Sequence, residues 1–396
     1  MTSSSARGRD SDYVFFGTAA WDSPWLTEHN LAHALAARGR RVLFVEPPIT
    51  PLTPIRHGLR RETLALTRRL LRGGVRRSGR IHVLQPLTLP PIESARARRL
   101  AVPFVRSQIR RAVRRAGLQE PVVVAARWIV PFRGAAGERA TVYLVKDLVE
   151  AGAALIGREA SAIARDERQM LEQADLVCAV TPRLCATLAA AGVEAELLPH
   201  GFHAELAPLY DAAERPAELE GLGKPVLGYA GRIDGRLDFD ALGALADHYR
   251  DGSVVLIGPV SPRLPRQALE QFARRPNVHL LGSRSREALP SYLSHLDCCL
   301  MPYREDEWGA HGSPLKLWDY LYAGPPVVGS GYAALADQPL VHYASPPSRL
   351  PETVADALAE NSSRRDLRRA QALENSWVRR AEALEDLLQA GHCDTA

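Results

Sequence analysis

"HGSPLKLWDYLYAGPPVVGSG", His311 to Gly331, joins a helical stretch to an apolar strand across a glycine and two prolines. Ser313 suits the N-cap of a helix and Pro314 its first turn, where a missing N–H costs nothing. Leu315, Trp318, Leu321 and Tyr322 recur at helical spacing and form a packing face. Gly324 suits the position just past a helix end, and Pro325 and Pro326 prevent the helix from continuing. Val327 and Val328 then open a short apolar run. A capped helix leading straight into such a run is one half of an alternating helix–strand repeat.

Outward from this stretch the same alternation covers the chain. In the second half, "VLGYAG" (226–231), "SVVLIG" (253–258), "VHLLG" (278–282), "CCLMP" (298–302) and "PVVGS" (326–330) read as strands. In the first half, "YVFFG" (13–17), "RVLFVE" (41–46), "IHVLQ" (81–85), "VVVAA" (122–126), "TVYLV" (141–145), "DLVCAV" (175–180) and "AELLP" (195–199) do the same. Their continuous apolar character is that of parallel strands covered on both faces. Amphipathic stretches such as 26–38 and 161–173 lie between them. The fold class is therefore α/β, with two Rossmann-like domains facing a central cleft. We expect an N-terminal domain over 1–206, a linker over 207–225, a C-terminal domain over 226–375, and a final helix and tail over 376–396.

Composition narrows the function classes. Of 396 residues, 46% are hydrophobic and 24% charged, as in soluble globular proteins. No uncharged apolar run of about 18 residues offers a membrane span. The opening "MTSSSARGRDSD" lacks the apolar core of a secretory signal and reads as a tail. Cys178, Cys185, Cys298, Cys299 and Cys393 form no CxxC pair, so neither a disulfide framework nor a zinc site is expected, and a cytoplasmic setting is. The net charge is +5, and arginines crowd residues 56–115: Arg56, Arg60, Arg61, Arg68, Arg69, Arg72, Arg76, Arg77 and Arg80, then Arg96, Arg98, Arg99, Arg106, Arg110, Arg111, Arg114 and Arg115. These are either solvated helix faces or a patch for an anionic lipid surface or phosphorylated acceptor, which leaves peripheral contact with the inner membrane face open. No nucleic-acid partner is expected.

Lys316 poses the chemical question, because a cation near a helix N-terminus opposes the helix dipole by a few tenths of a kcal/mol, roughly. A bound anion offsets that cost, and helix N-termini bind phosphate. Asp319, one turn deeper, has the geometry to accept two hydrogen bonds from a vicinal diol. Phosphate first and ribose one turn in describe a nucleoside diphosphate. Lys316, Asp319 and Tyr320 on one ordinary surface face remain the alternative.

"SPLKLWDYLYAGPPVV" resembles the donor-binding signature of GT-B glycosyltransferases, family 4-like, in particular the bacterial teichuronic-acid-type group. "GYAGRID", "VVLIGP", "LDCCLMPY", "ADLVCAVTPRLCATL" with "LLPHGFH", and "RRVLFVEPP" extend the resemblance over most of the chain. It implies transfer of a sugar from a nucleotide-diphosphate sugar, with UDP favoured, to an acceptor hydroxyl with retention, in cell-envelope glycan or natural-product biosynthesis. It further implies no bound metal or other cofactor. The acceptor is either lipid-linked or small and soluble. Arg232 matches the family's diphosphate arginine and Asp319 its ribose acid. Arg236 is the nearest candidate for a second basic residue, with Asp238 at the strict spacing. The family asks for an acid where this chain has His311; Asp306 or Glu307 of "REDEW" are substitutes.

Expected donor-binding residues are thus Gly231, Arg232, Gly258, His311, Ser313, Pro314, Leu315, Lys316 and Asp319. Arg232, Arg236 and Lys316 are candidates to neutralise the leaving group. "GTAAWDSPWLTEHN" follows the first strand and so borders the cleft. It offers Asp22, Glu28 and His29 toward an acceptor hydroxyl, with Asp22 and His29 as catalytic candidates. Trp21 and Trp25 form a sugar-stacking wall or a core pair, and His200 and His203 fall near the hinge. In structural terms Asp22 or Ser23 caps the following helix instead. A GT-B sugar epimerase and a catalytically inactive GT-B binding subunit are the competing readings. A dehydrogenase is disfavoured by the missing GxGxxG.

Overall fold

The computed structural model describes residues 11–50, 74–88, 95–126, 132–151, 153 and 159–390, with side chains 95–98 excepted. Residues 1–10 of the expected tail, Arg56, Arg60, Arg61, Arg68, Arg69, Arg72 and Cys393 lie outside them, as do the side chains of Arg96 and Arg98; Asp12, at the end of that tail, is buried and pairs with Arg41 at 2.8 Å. The four described cysteines are free thiols.

Two sheets form. The first runs in the order β3-β4-β2-β1-β5-β6-β7-β8, with β1 Tyr13–Phe16, β2 Val42–Val45, β3 Val75–Ser78, β4 Ile81–Leu84, β5 Val122–Ala125, β6 Ala140–Val145, β7 Leu176–Ala179 and β8 Glu196–Leu197. All pairings are parallel except β3 with β4. Burial on both faces explains the unbroken apolar runs. Tyr13 and Phe15 face one core together with the helix Thr27–Ala37. Val14 and Phe16 face the other with the helices Ala95–Ala116 and Pro182–Ala190.

The second sheet runs β11-β10-β9-β12-β13-β14, with β9 Val226–Ala230, β10 Ser253–Ile257, β11 Val278–Gly282, β12 Cys298–Pro302, β13 Val327–Ser330 and β14 Val341–Tyr343. It is wholly parallel. Its order reverses beside β9, at a switch point where a crevice opens past the strands' carboxyl ends.

The stretch 207–225 is built into this second unit. It contains the helix Ala207–Asp211, and Tyr210 and Leu219 are buried in the second core. The chain then returns. Phe202 N–H donates to Asn375 O (2.8 Å) and Trp377 N–H to Phe202 O (2.9 Å), so the outgoing and returning segments cross. The helix Trp377–Ala390 packs Trp377, Ala381, Leu384 and Leu388 into the first core. Arg38 and Arg40 hold Glu385 at 3.0 and 2.6 Å, fastening this helix to the end of Thr27–Ala37.

The charged strand β3 and the short β14 carry no legible period and were not expected from sequence. The helix expected from Ser313 begins instead at Leu317 and runs to Ala323. Leu315 packs against the first core, so residues 313–315 bridge the two units rather than wind. Lys316 is the residue preceding the helix, and its carbonyl accepts from Tyr320 N–H at 3.0 Å.

Leu384→Ala removes a fully buried side chain from the returning helix. It should cost about 3 kcal/mol in denaturant unfolding. A loss under about 1 kcal/mol would show that the helix does not anchor the first unit.

Candidate active site cleft

Between the carboxyl ends of the two sheets lies a cleft of about 640 Å3. Thr18 and Ala19 enter it after β1, and Lys146 and Asp147 after β6. Gly231 and Arg232 enter after β9, Gly258 and Pro259 after β10, and Tyr303 after β12.

The C-terminal wall is cationic. Gly258 (φ +145°) lies so close to Gly231 that a Cβ on it would strike the Gly231 carbonyl. Gly231 (φ +152°) in turn leaves room for the Lys316 ammonium, which a Cβ there would displace. Lys316 Nζ stands 3.7 Å from the centre of the Tyr229 ring and 5.7 Å from that of Tyr303, a cation–π arrangement. Among the described residues no carboxylate pairs with it. Burial, joined by the Arg236 charge and only opposed by Asp234, pulls its pKa well below the usual lysine value. Arg236 lines the same wall and is held by Asp234 at 3.0 and 2.8 Å. Arg232 is exposed at the mouth. Asp238 is spent on local structure, capping the helix Phe239–His248 by accepting from Ala241 N–H at 2.9 Å.

The N-terminal wall carries carboxyl groups. Asp147 lines it, its pKa raised by burial and by Glu28 against the pull of Lys146 and Arg236. Glu167 lines it too, pushed up to about 7 by burial, Glu150 and Asp147. Neither was singled out from sequence. Asp147 had a signal: "KD" follows directly on the apolar run of β6, where side chains reach the cleft. Glu167 sits inside the helix Ala160–Leu171 and had none.

Of the expected donor-side residues, Gly231, Arg232, Gly258, Ser313, Pro314, Leu315 and Lys316 line the cleft. Asp319 is not among the residues lining the cleft; it lies one turn further along the helix, partly buried, its pKa pushed up to about 7 by burial, with Arg286 lowering it and Glu205 raising it. Tyr320 is not on its face: the phenol is buried, donating to Ala230 O (3.1 Å) and accepting from Ala230 N–H (2.6 Å). His311 does not line the cleft. Its ring turns back to Glu307 O (3.0 Å), and its carbonyl accepts from Thr181 Oγ1 of the first unit (2.8 Å). Asp306 caps the short helix Glu307–His311 through Gly309 N–H (2.7 Å), and Glu307 is exposed.

The expected acceptor-side residues are mostly committed elsewhere. Asp22 is exposed and pairs with Arg76 at 3.1 Å. It does not cap the helix, and Ser23 instead donates to Ala20 O. His29 is buried: Nδ1 accepts from Leu26 N–H (3.3 Å) and Nε2 meets Ala20 O (3.2 Å), so both nitrogens organise the loop. Glu28 is fully buried and accepts from Thr18 N–H (2.9 Å) and Lys146 Nζ (2.8 Å). Burial alone would raise its pKa, but Lys146, His29 and Thr18 outweigh it and hold it at about 2. Trp21 is a core residue against Phe44. Trp25 stacks beneath Arg286 of the second unit at 4.8 Å. Both border a separate hollow of about 260 Å3. His200 does line the cleft, 3.3 Å from Thr27 Oγ1. Burial and Lys146 push its pKa down to about 3, against the Ser313 backbone. His203 pairs with Glu205 (3.1 Å) outside the cleft.

Residues 224–362 match the family model described as Glycosyl transferases group 1. The chain carries a glycosyl transferases group 1 domain on a GT-B fold. TuaH of Bacillus subtilis (strain 168), named for a glycosyltransferase of teichuronic acid biosynthesis, is 30% identical over 131 residues. That alignment spans a third of this chain and a third of TuaH. Sucrose-phosphate synthase from Thermosynechococcus elongatus superposes with a TM-score of 0.71 at 16% identity, over 97% of this chain and 100% of the other. Anabaena HepE, in complex with UDP and glucose, does so with a TM-score of 0.65 at 14% identity, over 96% and 99%. Among the described residues no helix is long and apolar enough to cross a membrane, and no group of three His, Cys, Asp or Glu is arranged to hold a metal ion.

Glu28→Gln would leave the Lys146 ammonium without its buried partner. Glu28 has a folded pKa of about 2 against an ordinary value of 4.5. Its charge therefore stabilises the fold above about pH 4.5, and that contribution is lost between 4.5 and 2. Glu28→Gln should cost about 3 kcal/mol at pH 7, with the gap to wild type closing below pH 4. A pH-independent gap in urea titrations would assign the loss to packing.

Proposed function

We propose that this protein is a glycosyltransferase that moves a sugar from a nucleotide-diphosphate sugar, UDP favoured, to an acceptor hydroxyl with retention of configuration. The role that fits is cell-envelope glycan or natural-product biosynthesis. The observation that carries the reading is the half-buried Lys316 ammonium, resting on tyrosine faces without a carboxylate partner among the described residues, beside Arg232 and Arg236. Such a wall is organised for an anion before the anion arrives, which is how departing diphosphate charge is stabilised at low reorganisation cost. The group 1 domain, the teichuronic acid relative's name and the UDP and glucose held by HepE support the same reading.

On this reading the diphosphate lies against Gly231, Gly258 and Lys316, where the missing side chains let it approach the backbone. Asp319, one turn along, holds the ribose hydroxyls. Among the described residues its carboxylate makes no hydrogen bond. The sugar then projects toward Asp147, Glu167 and His200 on the opposite wall, where the acceptor hydroxyl enters. The acceptor attacks the anomeric carbon on the face the diphosphate leaves, and its proton passes to the departing phosphate oxygen. Because side chains carry the neutralising charge, turnover should survive EDTA. Release or epimerisation of the sugar without acceptor would favour the epimerase reading instead.

Lys316→Ala should weaken nucleoside diphosphate binding at least tenfold and spare the stability of the empty protein. Asp319 gives a sharper test, because its pKa near 7 means that it gains charge as pH rises through neutrality. Two hydrogen bonds to a charged acceptor are worth about 1.5–3 kcal/mol each. Wild type should therefore bind UDP at least tenfold more tightly than Asp319→Asn at pH 8.5 and about equally at pH 5.5. Calorimetry showing the same ratio at both pH values, or the same penalty for a 2′,3′-dideoxy nucleotide, would remove Asp319 from the ribose.

A further inference from the structure

The helix Ala95–Ala116 contains eight arginines and no acidic residue. Its inward face is ordinary: Ala101, Val105, Ile109, Ala112 and Val113 are buried, and the last four join Val14 and Phe16 in the core on the other face of the first sheet. Its outward face is divided along its length. Leu100 (73% exposed) and Phe104 (51% exposed) lie one turn apart toward the N-terminal end. Arg110, Arg111, Arg114 and Arg115 occupy the exposed C-terminal half. Arg106 and Arg110 each donate to a backbone carbonyl, of Arg133 and Gly134, both at 2.7 Å. Among the described residues no carboxylate forms an ion pair with Arg99, Arg106, Arg110, Arg111, Arg114 or Arg115.

The helix runs antiparallel to its strands. Gly117, just past its C-terminus, accepts from Arg41 at the amino end of β2, while Gln108 bonds Leu87 beyond the carboxyl end of β4 (3.0 and 2.8 Å). At 1.5 Å per residue, Leu100 stands roughly 12 Å further out than Gln108. The apolar end thus projects past the sheet on the side where the cleft opens.

We propose that this helix docks the protein on an anionic lipid bilayer, with Leu100 and Phe104 entering the interface and the arginines meeting the negative headgroups. Charge without apolar side chains would suit a nucleic acid equally well. Two large apolar side chains exposed at one end of an arginine-only helix suit an interface that is charged outside and apolar within. The docking brings the cleft side of the first unit to the bilayer, so that, on the glycosyl-transfer reading, a lipid-borne acceptor reaches the cleft without leaving the membrane.

The test is sedimentation of the full chain with phosphatidylcholine vesicles, with and without one third phosphatidylglycerol, at low and moderate salt. Binding should require the anionic lipid and fall as salt rises. Leu100→Ser with Phe104→Ser should weaken it at least tenfold while leaving the melting temperature and the UDP-induced thermal shift unchanged. Arg111→Gln, Arg114→Gln and Arg115→Gln together should weaken it by about fivefold per charge. Equal binding to neutral vesicles, no binding at low salt, or a double serine variant that binds as wild type overturns the proposal. So does single-stranded RNA that competes fully with vesicles while the serine variant retains its RNA affinity. Because UDP binding is read separately, loss of vesicle binding alone leaves the donor-site reading standing.

Discussion

The cleft depends on one unmatched cation. Lys316 is held where burial disfavours its charge; no carboxylate among the described residues pairs with it, and Asp234 offsets the burial only in part. What makes the position tenable is local: the Tyr229 face beneath it and the space left by Gly231. Each support is itself supported. Tyr229 donates its hydroxyl proton to Arg232 O (2.9 Å), fixing the turn that presents Arg232. Tyr320, on the helix that follows Lys316, clamps the N–H and carbonyl of Ala230, the residue before Gly231. The strand end, the glycine turn and the helix start are thus one unit, and a change in any of them moves the ammonium.

The opposite wall responds to Arg236, the charge beside that lysine. Asp147 feels Arg236 across the cleft, so the cleft has a cationic and an acidic side that attract each other. The two units are tied around it by contacts other than ion pairs: Thr181 to the His311 carbonyl, Leu315 against the first core, and the Arg286 guanidinium over Trp25. The returning helix Trp377–Ala390 then closes the chain onto the first unit with Arg38 and Arg40. Contacts of this kind leave the walls free to approach a ligand, because none of them places an ion pair across the cleft itself.

Much of the fold was legible because buried parallel strands leave an unmistakable trace. The runs at 13–17, 122–126, 226–231 and 253–258 each became a strand with both faces covered. β3 was not legible, since "VRRS" is charged and pairs only at a sheet edge. The helix start at Leu317 was misplaced because local capping preferences at Ser313 lose to a tertiary contact of Leu315. In the site, glycines and cations at strand ends were readable, because their position follows from topology. Asp22 lies in the loop after β1 and Glu28 and His29 in the first turn of the helix that follows, yet it is folding inward that decides which polar groups are used up, and sequence carries no sign of that. Asp147 was visible in principle as a charge at a strand's carboxyl end. Glu167 depends on a helix orientation that only packing determines.

The departure at position 311 has a structural counterpart. The resemblance asks for an acid there, facing the transferred sugar. In this chain the residue's carbonyl serves as a tie to Thr181, and its ring is satisfied by the helix Glu307–His311. No charge from that position enters the cleft. The carboxyl groups lining it are Asp147 and Glu167, on the other wall, with pKa values raised by burial. Glu167, pushed up to about 7, is neutral part of the time at physiological pH and then both donates and accepts hydrogen bonds, which suits it to sugar hydroxyls. A fully ionised acid beside a departing diphosphate would repel it. On the proposed reading, placing these groups across the cleft separates sugar recognition from leaving-group neutralisation: among the described residues Lys316 and Arg232 have no carboxylate partner, and Arg236 is held in place by Asp234.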